Sequence, residues 1–287
     1  MVAAAALAAA AAPAPAAPAL PAPDARTVLL VLAPHPDDET LCCAGAMQQV
    51  LAAGGRVAIV WLTSGDGSYL GALMIEKSPL RDAQHMRAYG TRRMAEARAA
   101  AGTLGVPAEG QLFLGYPDGG LLTLLRNPGA PPLRSRFTDA VRVPYAGALF
   151  PGHPYTGASL RADFGAVLAQ VQPSLILAPT PEDTHPDHRA AGLLALEAAA
   201  RGEVVVRYWI VHGGEGWPSP RGLSPGIPLT VAPRARGLDP QPLQLSPSQE
   251  DRKLAALNAY ATQLKVLTPF LMSFIRTTEL FSVRAEP

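Results

Sequence analysis

The sequence predicts an α/β protein with a Rossmann-like, mostly parallel sheet and helices on both faces. First, continuous apolar runs such as residues 27–33 are typical of strands buried on both faces of a parallel sheet. Second, stretches with helical character alternate with these runs, as right-handed βαβ crossovers require. Third, glycines such as Gly54 and Gly55 stand where the predicted helices end.

The predicted elements follow one another in that alternation. Strands are predicted at 27–33, 56–62, 111–114, 174–178 and 204–211, and helices at about 39–53, 81–104, 160–171, 186–200 and 249–265. Two stretches rich in Pro and Gly, 126–157 and 214–248, break the rhythm. We expect irregular structure there, because long insertions in compact domains usually form functional rims or loops.

Composition indicates one globular domain, over residues 25–287. The chain has 287 residues, 48% of them hydrophobic, which is ample for one core. Its formal net charge of +1 and its lack of long charge runs do not indicate nucleic acid or an anionic membrane as a partner. Apolar stretches are too short for an integral membrane segment. The oligomeric state is not predicted.

Residues 1–24 are almost wholly Ala and Pro. Their apolar part and small residues are typical of a secretory signal, although the positively charged n-region is missing. The alternative is a disordered extension. A signal peptide would place the protein in the periplasm or outside the cell, and the alternative would place it in the cytoplasm.

The two cysteines, Cys42 and Cys43, are neighbours. A disulfide between adjacent residues is sterically poor, so we expect two small apolar side chains in a helix. Their number and position exclude a disulfide framework and a cysteine-based zinc site within the chain.

Two loops at strand ends carry histidines and carboxylates. The first strand runs into Pro-His-Pro-Asp-Asp-Glu at 34–39, and the fourth runs into a loop that ends in His-Pro-Asp-His at 185–188. Ligands of open α/β sheets bind beyond the carboxyl ends of the strands. His35, Asp38 and His188 would supply the nitrogen and oxygen donors of a catalytic zinc site. One such loop is typical of a helix-capping turn, but two at strand ends favour a metal site.

These two motifs, in this order, resemble those of the PIG-L/LmbE-like family of zinc-dependent deacetylases. Weaker matches are TSGDG at 63–67, RMAE at 93–96, GYPDGGL at 115–121, HGG at 212–214 and WPSP at 217–220. The resemblance runs from about residue 27 to 283. It implies an N-deacetylase that hydrolyses the acetamide of a small N-acetylglucosamine-containing sugar or conjugate, with Zn²⁺, or Fe²⁺, as the cofactor.

The resemblance also implies a role for each residue of the two main motifs. His35, Asp38 and His188 match the metal ligands, and Asp37 matches the general base that activates the metal's water. His185 matches a residue that stabilises the transition state, in charged form, or protonates the leaving amine. Asp187 matches a carboxylate that orients His185. Whether Asp37 or His185 returns the proton stays open.

Other polar residues near the predicted strand ends are candidates for substrate binding. Asp66 could brace the site or bind substrate hydroxyls, or be a turn residue. Arg93 could reach the substrate, or pair with Glu96 on the same helix. His212 could bind substrate or support a metal ligand. Asp118 is expected to be a turn residue.

Four other classes of function fit parts of the pattern. Two histidines and a carboxylate also describe iron oxygenases, but those proteins present His-x-Asp on a β-barrel. A metal-dependent esterase or amidase of other specificity, and a non-catalytic sugar-binding module, stay open. A dinucleotide-binding protein is disfavoured, because no Gly-x-Gly-x-x-Gly follows the first strand.

Overall fold

A five-stranded parallel sheet forms the centre of the molecule. The computed structural model describes residues 20–68, 71–72, 82–202, 204–283 and 285. Its sheet consists of β1 Val28–Ala33, β2 Arg56–Thr63, β3 Gln111–Tyr116, β4 Leu175–Pro179 and β5 Val205–Trp209. The spatial order is β3-β2-β1-β4-β5, and every pair is parallel. The predicted fold class is confirmed, whereas most of the predicted leader, 1–19, lies outside the described residues.

Helices pack around this sheet. They are α1 Asp38–Ala52, α2 Ala83–Thr103, α3 Leu121–Arg126, α4 Gly157–Val171, α5 Pro186–Ala199, α6 Pro247–Leu257 and α7 Ala261–Met272. Local chemistry sets several ends. Gly54, at φ +79°, follows the last turn of α1, and Ser246 and Gln249 form a capping box at the start of α6.

The strand order places the carboxyl ends of β1 and β4 side by side. Residues 29–33 of β1 are fully buried, as expected for a central strand. The chain leaves β1 for β2 on one side and later returns to β4 on the other. A crevice opens at such a reversal of strand order, and the loops after β1 and β4 meet there.

The C-terminal part differs from the prediction. The single helix expected at 249–265 is two helices, because Tyr260 has non-helical backbone angles (φ −82°, ψ 57°) and a fully buried side chain. An antiparallel pair, β6 Gln241–Gln244 and β7 Thr278–Phe281, was not predicted, and neither was α3. The stretch 127–156 is irregular apart from one bridge between Arg142 and Pro154, as expected.

Cys42 and Cys43 are buried in a helix, α1, as expected, but the prediction that they stay unpaired is wrong, because the structure joins them in a disulfide. The residues of α1 that follow the bond are contacted by a side chain of β7. The N–H groups of Gly45 and Ala46 donate to the Glu279 carboxylate.

In the described part of the chain, we find no helix with the length and apolar character needed to cross a bilayer.

Candidate metal centre

The three predicted metal ligands meet at one carboxylate oxygen. Asp38 Oδ2 lies 3.2 Å from His35 Nδ1 and 3.2 Å from His188 Nε2. His35 and Asp38 come from the loop after β1 and the start of α1, and His188 comes from the first turn of α5. All three side chains are buried. The meeting of β1 and β4 thus brings together residues that are 150 positions apart.

The environment of His188 fits a bound cation. Both of its ring nitrogens are buried, and neither forms a well-aligned hydrogen bond with a described residue. Even so, carboxylate oxygens of Asp38 and Asp183 lie 3.2 Å from Nε2 and Nδ1. Buried polar atoms without a partner are costly, and a cation near Nε2 would remove that cost. His35, His185 and His188 also offer nitrogens within 4.8 Å of one another. Nitrogen and carboxylate donors are those that zinc prefers.

A second carboxylate supports each histidine ligand candidate. Asp183 faces His188 Nδ1, and its Oδ2 accepts the N–H groups of Val211 (3.1 Å) and His212 (3.0 Å). Asp187 Oδ2 lies 3.2 Å from His35 Nε2. Such carboxylate–histidine pairs orient metal-binding imidazoles.

The expected contact between the Asp187 carboxylate and His185 is wrong. That carboxylate instead accepts the N–H groups of Gly119 (2.6 Å) and Leu121 (3.0 Å) and faces His35. The reason is helix capping, since His185 is the N-cap of α5. Its Nδ1 accepts the backbone N–H of Asp187 at 3.2 Å.

This cap determines the chemistry of His185. Because Nδ1 accepts a hydrogen bond, the neutral ring carries its proton on Nε2. Burial and the neighbouring imidazoles of His35, His188 and His212 lower the pKa of His185 to about 3. The cap and the lowered pKa therefore favour a neutral His185 that donates through Nε2 over the charged form that was expected.

Asp37, the predicted base, lies beside this cluster in a strained conformation. Its φ of +112° is rare for a residue with a side chain, and such strain is frequent at functional sites. Its Oδ2 accepts from Arg93 Nη2 at 3.1 Å. Burial raises the pKa of Asp37 to about 7, and the Asp38 carboxylate contributes to the rise although Arg93 opposes it.

The Glu39 carboxylate holds the backbone of Asp37 in place. The alternation of strands and helices in the sequence did not predict this role. Glu39 Oε2 accepts the backbone N–H of Asp37 (3.2 Å) and the indole N–H of Trp61 (2.9 Å). Its Oε1 accepts from Thr40 and from the hydroxyl of Tyr260. The side chain is fully buried, so these four donors form an anchor for the whole loop.

A cavity of about 200 Å³ opens onto the cluster. The chemistry-bearing residues that line it are His35, Asp37, Asp38, Arg93, Asp118, His185 and His212. Apolar side chains of α7 form one wall. The cavity thus gives a small molecule access to the candidate metal ligands and to the candidate base.

Two of the three predicted substrate-binding residues reach this cavity. Arg93 and His212 line it, whereas Asp66 is fully buried and accepts hydrogen bonds from Tyr145 and Ser64. Asp66 therefore braces the loop after β2 and does not contact the cavity. The alternative pair of Arg93 with Glu96 does not form, because Glu96 accepts from the backbone and hydroxyl of Thr262 while Arg93 faces Asp37.

Asp118 is a site residue that the sequence reasoning missed. It lines the cavity, with Oδ1 3.5 Å from His35 Nε2, and its Oδ2 accepts the N–H of Gly67 at 2.9 Å. Although burial opposes it, the pKa of Asp118 is held below its ordinary range by His35 and Arg93. Its position after β3, on the same sheet edge as both histidine loops, is the signal that could have identified it.

Known proteins resemble this chain over most of its length. A sequence profile for the family described as PIG-L, GlcNAc-PI de-N-acetylase, matches residues 30–199. The 1D-myo-inositol 2-acetamido-2-deoxy-alpha-D-glucopyranoside deacetylase of Mycobacterium sp. (strain KMS) is 28% identical, over 83% of this chain and 74% of its own. The protein of the same description from Segniliparus rotundus is 26% identical, over 92% and 85%.

Solved structures share the fold. The N,N'-diacetylchitobiose deacetylase of Pyrococcus horikoshii superposes with a TM-score of 0.54 at 18% identity, covering 88% of this chain and 82% of its own. The deacetylase of the A40926 pseudoaglycone gives a TM-score of 0.52 at 24% identity, covering 84% of each chain.

The family profile spans more than half of the chain, from β1 to the end of α5, and includes both histidine loops. This chain therefore belongs to the PIG-L family of de-N-acetylases.

Proposed function

We propose that this chain is a zinc-dependent N-deacetylase that hydrolyses the acetamide of a small N-acetylglucosamine-containing molecule. The observation that carries the proposal is the convergence of His35 Nδ1 and His188 Nε2 on Asp38 Oδ2, beside Asp37, in an open cavity. The names of the mycobacterial relatives, which are deacetylases of a 2-acetamido sugar, support the choice of substrate class.

His35, Asp38 and His188 would hold the metal ion. Two nitrogens and one carboxylate suit zinc, and they also suit Fe²⁺. When bound, the metal would supply Lewis acidity that polarises the amide carbonyl and brings the pKa of a water molecule to about 7.

Asp37 is the general base in this proposal. Its carboxylate lies in the cavity, and the buried Arg93 fixes its orientation through Oδ2. A carboxylate in this position accepts the proton of the attacking water as the new carbon–oxygen bond forms. Arg93 is thus a positioning residue for the base as well as part of the cavity wall.

His185 donates a hydrogen bond to the substrate in this proposal. Because its Nδ1 is engaged with the α5 backbone, Nε2–H is the group left to face the cavity, and it stabilises the oxygen on which negative charge develops. Asp37, protonated by the first step, then returns its proton to the leaving nitrogen. The carbon–nitrogen bond breaks, and acetate and the free amine are released.

The test measures acetate and free amine from N-acetylglucosamine glycosides. We expect the purified chain to release both in equal amounts, to lose activity after treatment with a chelator and to regain it when Zn²⁺ is added. Absence of acetate from every glycoside in the metal-replete protein would overturn the proposed reaction. Full activity in metal-free protein would overturn the metal dependence.

A further inference from the structure

The cavity has one apolar wall that the proposed chemistry does not use. Leu267, Phe270 and Leu271 of α7 line it, and Leu267 is 39% exposed. The wall belongs to the same cavity as the candidate metal ligands. A substrate whose acetamide lies at the metal centre would therefore place its remaining atoms against α7.

Phe270 is the fixed centre of this wall. Its ring lies nearly parallel to that of His212, with 5.8 Å between centroids and 12° between planes. The ring of Phe274 meets it edge-on at 5.4 Å. Packing by His212 and Phe274 fixes the ring, so the part of Phe270 that lines the cavity is preformed for an apolar ligand.

The guanidinium group of Arg221 lies over the ring of Phe270. The Cζ atom of Arg221 lies 5.0 Å from the centroid of Phe270, within cation–π range. The Arg221 side chain is exposed, and it forms no ion pair with any carboxylate among the described residues. Arg93, the arginine that lines the cavity, is buried and engaged with Asp37.

The backbone beside Arg221 is anchored to the C-terminal part of the chain. The N–H of Gly222 donates to the carbonyl of Pro269 and to Ser273 Oγ, both at 2.9 Å. The fully buried Arg276 donates to the carbonyl of Pro220 at 2.7 Å. The backbone that carries Arg221 is therefore held in place by the fold, so less backbone freedom is lost when a ligand binds.

We propose that Arg221, Phe270 and Leu267 form a subsite for the aglycone of the substrate, and that this aglycone is a planar apolar group that carries an anion. The inference rests on the proposed deacetylase function and specifies its substrate class. The apolar plane lies against Phe270 and Leu267. The anion pairs with the guanidinium of Arg221, whose planar fork matches a carboxylate.

Two isosteric glycosides of N-acetylglucosamine test the subsite, one with a 4-carboxyphenyl and one with a 4-carbamoylphenyl aglycone. They differ in charge and hardly in shape, and the methyl glycoside serves as the minimal substrate. For the wild type we expect kcat/KM to be about fivefold higher with the carboxylate, the ratio that a partly exposed ion pair of about 1 kcal/mol produces. We expect the ratio to decrease as ionic strength rises.

Two variants assign the preference to Arg221. In Arg221→Gln we expect the carboxylate-to-amide ratio to fall to about one, and in Arg221→Glu we expect it to fall below one. Arg56→Gln is the matched control, because Arg56 is exposed at the start of β2, on the opposite edge of the sheet. We expect it to keep the wild-type ratio.

The outcomes separate the two proposals. Equal kcat/KM for both aryl glycosides in the wild type, with acetate released from each, would overturn the subsite and leave the deacetylase proposal standing. A wild-type preference that persists in Arg221→Gln would also overturn it. Absence of acetate from all three glycosides would overturn the deacetylase proposal, and the subsite with it.

Discussion

The loops after β1 and β4 carry the same His-Pro-Asp motif and are built differently. In the first loop, Asp37 has φ +112°, and the chain is held by Glu39 and Arg93 from outside the motif. In the second loop, no residue of the motif has a positive φ, and His185 caps the helix that follows. The first loop therefore stores strain, whereas the second is an ordinary start of a helix.

The aspartate that follows the proline differs most between the two loops. Asp37 faces the cavity, where burial brings its pKa to about 7. Asp187 is fully buried and turns to Gly119, Leu121 and His35. The lesson is that a repeated motif does not imply a repeated role, because the packing around each copy determines which way its side chains point.

The largest expected effect comes from removing the carboxylate at 37. In Asp37→Asn we expect kcat for deacetylation to fall by about 10²–10⁴, the range for loss of a general base, with the metal content unchanged. Activity assays and elemental analysis of the purified variant measure both. His188→Ala is the control, in which we expect the metal to be lost. A metal-free Asp37→Asn protein, or one with near wild-type kcat, would contradict the assignment.

The next effect concerns the buried carboxylate of the second loop. We expect Asp183→Asn to weaken zinc affinity by about 10–100-fold, because Asp183 faces Nδ1 of His188. Competition with a fluorescent chelator measures this affinity. Asp163→Asn is a matched control, since Asp163 is also buried and pairs with a histidine, His153, that is not among the candidate ligands. Equal affinities in the two variants would argue against a supporting role for Asp183.

Glu39 is the corresponding carboxylate of the first loop. Each carboxylate oxygen of Glu39 now accepts hydrogen bonds from two donors. A glutamine side chain has only one oxygen, so at least one buried donor loses its partner. In Glu39→Gln we expect the free energy of unfolding to fall by about 2 kcal/mol, as measured by urea titration of the metal-free protein. We also expect kcat to fall more than zinc affinity does, because Glu39 contacts Asp37. A fall in zinc affinity without a fall in kcat would contradict this expectation.

The smallest expected effect comes from Asp66, a fully buried residue in the loop after β2. Burial and the nearby Asp118 raise its pKa from 3.8 to about 7, so the folded state binds a proton more tightly than the unfolded state does. This contribution to stability is present at low pH and is lost as pH rises through about 7. The variant Asp66→Asn lacks this titrating group. We therefore expect its Tm, relative to that of the wild type, to be about 3 °C higher at pH 8 than at pH 5. A pH-independent difference would show that Asp66 titrates in its ordinary range.

The sequence predicted the parts of the molecule that depend on local pattern. The apolar runs predicted all five strands of the sheet, and their ends located His35, Asp37, Asp38 and His188 at one edge. The break at Tyr260 was missed, because Tyr260 leaves the helical conformation in order to reach Glu39, a tertiary contact across 221 residues. The sequence left open whether Asp66 braces the site or binds substrate, and it predicted a turn role for Asp118. Both residues follow strands, and only packing buries Asp66 away from the cavity and leaves Asp118 at it.

The sequence by itself determined which chemical groups gather at the carboxyl edge of the sheet, because the local pattern of apolar residues locates each strand and the loop after it, and the carboxyl ends of parallel strands share one edge. Only the tertiary structure decided which carboxylate faces which imidazole, and what packs against the opening of the cavity. Those contacts join distant segments, such as Asp187 with the loop at 119–121 and Arg221 with Phe270 of α7. Burial and neighbouring charge, which determine proton affinity and orientation, exist only once these segments are packed together.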